Sequence, residues 1–237
     1  MTAEIFTAVD ATWPAAGYSQ VGPWTIREGR GGGQRVSAAS TSQDVTAADV
    51  SIAKEAMQQL GQAPIFMVQG DQEGLDGTLD RLGYGIKDPV DVWAGPVDEV
   101  AADYERSLAA IFVDYPMPIL AEIWAEGGIG PARLNIMRRA VGPKTCILGR
   151  LGDKPRGAAF VAVHGTLAMT HAVEVRADAR RQGVAERMMK AAAWWAGTQS
   201  AAELSALTVA TNKQTQSMWR KLGMRVVAHY HYRVKAN

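Results

Sequence analysis

The chain predicts a mixed α/β fold: a central, mostly antiparallel sheet flanked by helices, built from two related units. Three observations carry this. Two strands joined by tight turns precede a strand–glycine loop–helix junction at Arg180–Ala185. The order strand, short helix, Leu-Gly, strand occurs twice. The two copies, Arg81-Leu82-Gly83-Tyr84-Gly85-Ile86 and Lys221-Leu222-Gly223-Met224-Arg225-Val226, lie 140 residues apart. A supersecondary order recurring at one spacing argues for repeated units.

The elements follow from local chemistry. Trp24 to Glu28 and Arg35 to Ala39 read as strands around Gly29-Arg30-Gly31-Gly32-Gly33. Thr46 or Asp49 caps a helix running to Leu60, and Gly61 ends it. Ile65 to Gln69 is a strand, Leu75 to Leu82 a short helix stopped by Gly83, and Val90 to Trp93 a strand again. Gly95-Pro96-Val97-Asp98 is the expected link, dividing the chain into units at 1–96 and 97–237. Tyr104 to Ile123 reads as a helix broken by Pro116 and Pro118. Thr145 to Leu151, Gly157 to Val163 and Leu167 to Val175 are strands separated by the turns Gly152-Asp153-Lys154-Pro155 and His164-Gly165. Val184 to Ala196 is a helix with Val184, Met188, Ala192 and Trp195 on one face. Glu203 to Ala210 is a strand, Lys213 to Leu222 a helix stopped by Gly223, and Val226 to Val234 the closing strand.

Bulk properties exclude several function classes. The chain has 237 residues, 47% hydrophobic and 21% charged, as in a packed globular protein. A formal charge of +1 gives no bulk drive toward nucleic acid or an anionic membrane. No apolar run approaches the ~20 residues needed to span a bilayer. The single cysteine, Cys146, and the absence of a signal peptide point to a reducing, cytoplasmic setting. His229 and His231 lie two apart in a predicted strand with no third ligand, so no metal is expected.

The junction Arg180-Arg181-Gln182-Gly183-Val184-Ala185 carries the chemistry. The first turn of a helix leaves N–H groups without partners, and the helix dipole adds positive charge there. Gly183 admits close approach of a phosphate, Ala185 keeps the entrance open, and two arginines attract from a distance. The pattern suggests a pyrophosphate. A dinucleotide site wants Gly-x-Gly-x-x-Gly after the first strand of a βαβ unit, and a triphosphate loop wants Gly-Lys-Ser/Thr; neither stands here.

From Thr145 onward the order resembles the GNAT N-acetyltransferase superfamily. Its motif Val-x-Pro-x-x-Arg/Gln-x-x-Gly-x-Gly/Ala reads here as Val175 to Ala185, with Ala177 in the proline place. Its second signature, Asn-x-x-Ala…Leu-Tyr-x-x-x-Gly-Phe, reads as Asn212 to Met224, with Trp219 in the tyrosine place. The resemblance covers residues 98 to 237 and implies acetyl-CoA as co-substrate and a small-molecule or peptide amine as acceptor. It implies that main-chain groups of Val173 and Val175 pair with the pantetheine. The amides of Arg180, Arg181, Gln182, Gly183, Val184 and Ala185 would hold the diphosphate, and Asn212 would approach from the next strand. The strands on either side of the site are expected to splay. The first unit resembles a shortened, degenerate copy. Asp44 to Asp49 holds two acids and no glycine where a phosphate loop would lie, so no coenzyme is expected there.

Catalysis is less legible. The family's tyrosine protonates the leaving thiolate, and an indole N–H is no acid at neutral pH. Glu174 and His171 are the candidate bases, and strict alternation puts them on opposite faces of one strand. His231 and Tyr232 are alternative liners of the acceptor cleft. A binding module holding acyl-coenzyme A without transfer is the alternative reading, and a tandem unit making a protein–protein surface is a third. Nothing in the sequence identifies the acceptor or the oligomeric state.

Overall fold

The computed structural model describes residues 2–114 and 117–235. In chain order the elements are α1 (Thr2–Thr12), β1 (Gly17–Val21), β2 (Trp24–Glu28), α2 (Ala47–Gln59), β3 (Ile65–Gln69), α3 (Glu73–Arg81) and β4 (Gly85–Pro96). There follow α4 (Val97–Val100), β5 (Ala110–Val113), α5 (Pro118–Glu126), α6 (Pro131–Arg139), β6 (Lys144–Leu151), β7 (Lys154–His164) and β8 (Leu167–Val175). The chain closes with α7 (Val184–Thr198), β9 (Glu203–Val209), α8 (Lys213–Lys221) and β10 (Arg225–Val234). Two compact units are built from these. One is Met1–Pro14, Val92–Thr208 and Asn212–Val227; the other is Ala15–Asp91, Val209–Thr211 and Ala228–Asn237. The nearest boundary to the expected break at 96/97 lies at 91/92, because β4 runs on to Pro96 where a link was expected.

In the larger unit the strands lie in the order β4, β9, β8, β7, β6, β5. β5–β6, β6–β7 and β7–β8 pair antiparallel, and β8–β9 pair parallel. Helix α7 lies on one face because its Ala- and Met-rich stripe is apolar. Met188, Met189, Ala191, Ala192, Ala193 and Ala196 are buried with Ile147, Ala159 and Val161. The approach is close enough that a Cβ on Gly157 would come within 2.7 Å of Met188 Cε. Helices α1 and α5 cover the opposite face, where Ala8 and Val9 meet Met169.

In the smaller unit β1 and β2 form a hairpin, and β3 pairs antiparallel with β10. Helix α2 begins with a complete capping box. Thr46 Oγ1 accepts from the Asp49 amide, and Asp49 Oδ2 accepts from the Thr46 amide at 2.8 Å. At its centre the guanidinium of Arg233, 6% exposed, donates to Asp76 at 2.7 and 2.8 Å, to Asp80 at 2.7 Å and to the Tyr84 carbonyl. That guanidinium holds the Asp76 carboxyl below the usual carboxylate range, with His231 adding to the effect.

The repeat is visible in the elements. Helices α3 and α8 each have nine residues and begin at Glu73 and Lys213, and Gly83 and Gly223 follow them with φ of 78° and 80°. Several readings of the sequence change. Residues 110–113 of the expected 104–123 helix form strand β5, because Ile111, Phe112 and Val113 pair with β6; helix begins at Pro118. Pro116 lies outside the described residues. Arg35 to Ala39 is not a strand. It starts as a 3-10 turn over Gln34–Val36, and Ala39 meets Phe66 in a single bridge. Helices α1 and α6 and strand β1 stand where the sequence suggested none.

Candidate functional site

The site begins where two strands part. The parallel ladder between β8 and β9 runs from Leu167↔Glu203 to Thr170↔Ala206, while β8 continues to Val175. This is the splay that the sequence led us to expect. Just past the last rung, Ala172 takes φ 51°, and the register against β7 slips between Ala158 and Phe160. The result is a β-bulge, which adds one residue to β8 and bends it away from β9. A left-handed alanine costs about 1 kcal/mol or more. Its carbonyl accepts a hydrogen bond from Trp124 Nε1 at 2.7 Å, which stabilises the bent form.

The loop after β8 supplies the polar mouth. A 3-10 turn at Ala177–Ala179 is braced by Asp178 on Arg156 at 2.8 Å, and Arg176 pairs with Glu126 at 2.9 Å. Gly183 is the N-cap of α7 at φ 77° and has no side-chain cap, so the first-turn amides keep their donors for a ligand. Glu186 stands in that first turn but reaches Lys190 at 3.6 Å.

Between these parts lies a cavity of about 460 Å³. Val173, Glu174, Val175, Arg180, Arg181, Gly183, Val184, Ala185 and Asn212, all singled out in the sequence, line it. Two expected residues do not. Gln182 turns aside, its amide donating to the Asp178 carbonyl at 3.0 Å. His171 is packed away, 3% exposed, between Trp13 and Phe160 at ring separations of 4.9 and 6.3 Å. Its Nε2 lies 2.9 Å from Thr12 Oγ1, whose hydrogen goes to the Ala8 carbonyl, so the imidazole donates. His171 is a core histidine rather than a cleft base. Reading it opposite to Glu174 also fails: the bulge places Glu174 across from Ala158 and His171 across from Phe160, so both share one face. His231, another alternative, belongs to the smaller unit, where it pairs with Asp76 at 2.7 Å.

Glu174 reaches the cavity but is engaged. Its Oε1 accepts from Arg180 Nη2 at 3.1 Å and from the Val175 amide at 3.2 Å. Arg180 Nε also donates to the Val175 carbonyl at 3.1 Å. The main-chain groups of Val175 that an added strand would use are thus held by two side chains, one of them 59% exposed and free to move. Arg181, at φ 61°, makes no ion pair among the described residues. Asn212 caps α8 by accepting from the Thr215 amide at 3.2 Å. Thr215 and Met218 also line the cavity, and the spacing of three from Asn212 is the signal that was there to be read. Trp219 is 3% exposed and sits 6.1 Å from Trp93, with its indole N–H unpartnered among the described residues. It packs the core.

Residues 107–224 match the model of the acetyltransferase (GNAT) family. This part of the chain belongs to the GNAT family. The fold is shared over the full length. A GCN5-related N-acetyltransferase from Kribbella flavida superposes with a TM-score of 0.73 at 14% identity, covering 100% of this chain and 96% of that one. A GNAT-family acetyltransferase from Novosphingobium aromaticivorans gives 0.60 at 13%, covering 93% and 92%. A tandem GNAT protein from the clavulanic acid biosynthesis pathway gives 0.60 at 12%, covering 83% and 74%. No curated protein matches the chain. The GNAT fold supports acyl transfer in general. No described helix is long and apolar enough to cross a membrane, and among the described residues no group of three His, Cys, Asp or Glu is placed to hold a metal ion.

Proposed function

We propose that the chain is an N-acetyltransferase moving an acetyl group from acetyl-CoA to an amine of a small molecule or peptide, by direct attack within a ternary complex. The observation carrying this reading is the uncapped helix start at Gly183, opening into the wedge where β8 leaves β9. The residues fit the coenzyme: first-turn amides and Arg181 would hold its diphosphate, and Val173, with Val175 once Arg180 and Glu174 move off its main chain, would pair with its pantetheine. Acetyl-CoA supplies the activated acyl group. Displacing Arg180 from Val175 toward phosphate would also release the Glu174 carboxylate, which then takes the proton of the attacking amine. Trp219 offers no acid, so the thiolate, with a pKa near ~8.5, leaves unassisted or takes a proton from water. Proximity of the two substrates accounts for much of the remaining rate. The smaller unit, on this reading, completes the fold without a coenzyme site of its own.

The second reading is a non-catalytic acyl-coenzyme A sensor. It is favoured by the buried Trp219 and by the ion pair that occupies Glu174. Incubation with acetyl-CoA and a panel of polyamines, amino acids and peptides, followed by free thiol, separates the two. Thiol release above hydrolysis with at least one amine supports transfer. Heat of binding without release selects the sensor, and no heat at millimolar acetyl-CoA rejects both.

A further inference from the structure

The glycine-rich run Gly29–Gly33 has no part in the site above. It borders a cavity of about 740 Å³ that lies wholly within the smaller unit. We propose that this cavity is a second binding site, for a small polyanion bearing phosphate or carboxylate groups. Its volume is that of a small-ligand pocket.

Charge is the first argument. Lys54 of α2, Lys87 of β4 and Lys235 after β10 line the cavity, and no Asp or Glu does. None of the three ammonium groups is ion-paired among the described residues. The whole chain has 25 basic and 24 acidic residues, so an ordinary solvated face would mix the signs. Three like charges around one concavity repel one another until an anion neutralises them.

Backbone geometry is the second. Arg30, Gly31 and Gly33 take φ of 44°, 76° and 98°. The positive φ values at Arg30 and Gly31, and the φ 98°, ψ 178° of Gly33, fold the loop back so that main-chain amides stand at the edge of the cavity, where an anion can meet them. Gly31 and Gly33 line the cavity, and their N–H groups have no intramolecular acceptor among the described residues. The loop is held in shape beforehand. The Gly29 amide donates to Gln62 Oε1 at 2.6 Å, Gln62 Nε2 donates to the Arg27 carbonyl at 2.8 Å, and Ser37 Oγ donates to the Gly33 carbonyl at 3.1 Å. A loop ordered in advance loses little entropy on binding.

The cavity is no remnant of a coenzyme cleft. At the repeat spacing, Gly183 and Asn212 correspond to Gln43, three residues before the N-cap of α2, and Gln72, the N-cap of α3. The cavity instead borders Gln58 and Gly61, at the other end of α2. The negative end of that helix is closed off, because its last carbonyls accept from the amides of Leu60, Gly61 and Gln62.

The test is calorimetric titration of the full chain with pyrophosphate and, in parallel, citrate. It is run on Gly183→Asp/Arg180→Ala/Arg181→Ala protein, so that neither the first-turn amides of α7 nor the arginines before it contribute. The expected result is a single site for at least one anion, weakened by salt. Adding Lys54→Ala, Lys87→Ala and Lys235→Ala should reduce its affinity by about tenfold or more while the circular dichroism spectrum is unchanged. Gly33→Ala, which strains the loop at φ 98°, should weaken the same site. Preference for pyrophosphate or for citrate identifies the anion class. No binding at millimolar anion, or an affinity indifferent to the three lysines, overturns the proposal. Because the loop at Gly183 is disabled throughout, either outcome is independent of acetyl transfer.

Discussion

Helices α7 and α2 occupy corresponding places in the two units, and they begin in opposite ways. Both have an acid at the third helical position, Glu186 and Asp49. In α2 the residue before the helix is Thr46. Its hydroxyl accepts from the Asp49 amide, and the Asp49 carboxylate accepts from the Thr46 amide and hydroxyl. In α7 the same place is Gly183, which has no side chain to return the bond, so Glu186 turns to Lys190 and the amides stay open. One helix start carries its own carboxylate; the other keeps its amides open, and the proposed diphosphate site lies where an ordinary capping interaction is withheld.

The largest expected effect comes from closing the open end. Gly183→Asp brings in a carboxylate like that of Asp49, at a backbone position (φ 77°) where a side chain is strained. Acetyl-CoA affinity should fall by roughly a hundredfold, the loss of two hydrogen bonds to a charged group, as read by calorimetric titration.

Within the smaller unit, Asp76→Asn tests the ion cluster that ties α3 to β10. Arg233 lowers the pKa of Asp76 in the folded state, so its stabilisation is present above the unfolded value near ~4 and is lost as pH falls through the folded one. The variant should lose ~1–2 kcal/mol at neutral pH, allowing for the partly solvated carboxylate. The difference from the wild type should shrink below about pH 4 in denaturant titrations.

Opening the sealed end is a smaller perturbation. Thr46→Ala removes the cap and should cost about 1 kcal/mol in thermal or denaturant unfolding. It should add no coenzyme binding, since Asp49 and Asp44 still repel phosphate. Smallest of all is the native reactivity of Cys146, buried in β6, where burial raises the thiol to about 12. Alkylation at pH 8 should be negligible until the larger unit opens, and mass spectrometry under rising denaturant reads this directly.

Much of this was legible in the chain because it is written in local dihedral preferences. A Thr-x-x-Asp box starts α2, glycines in the left-handed region end α3 and α8, and Gly183 marks the loop before α7. Each is a choice made within a few residues. Strand β5 was misread because Ala109 and Ala110 lend a helical look to a segment whose Ile-Phe-Val run is claimed by β6, where Ile111 meets Leu148 and Val113 meets Cys146. The amphipathic α1 passed unnoticed because its apolar face is defined only by Met169 and the strand it covers.

The sequence by itself determined where an uncapped helix start stands and which residues surround it. Only the tertiary structure decided which titratable group reaches the cleft. A one-residue bulge at Ala172, held by the indole of Trp124 from a different helix, put Glu174 and His171 on one face, and the packing of Trp13 and Phe160 then closed over the histidine. The face a strand residue points to depends on its register, and register is set by partners far along the chain, beyond the reach of any local pattern.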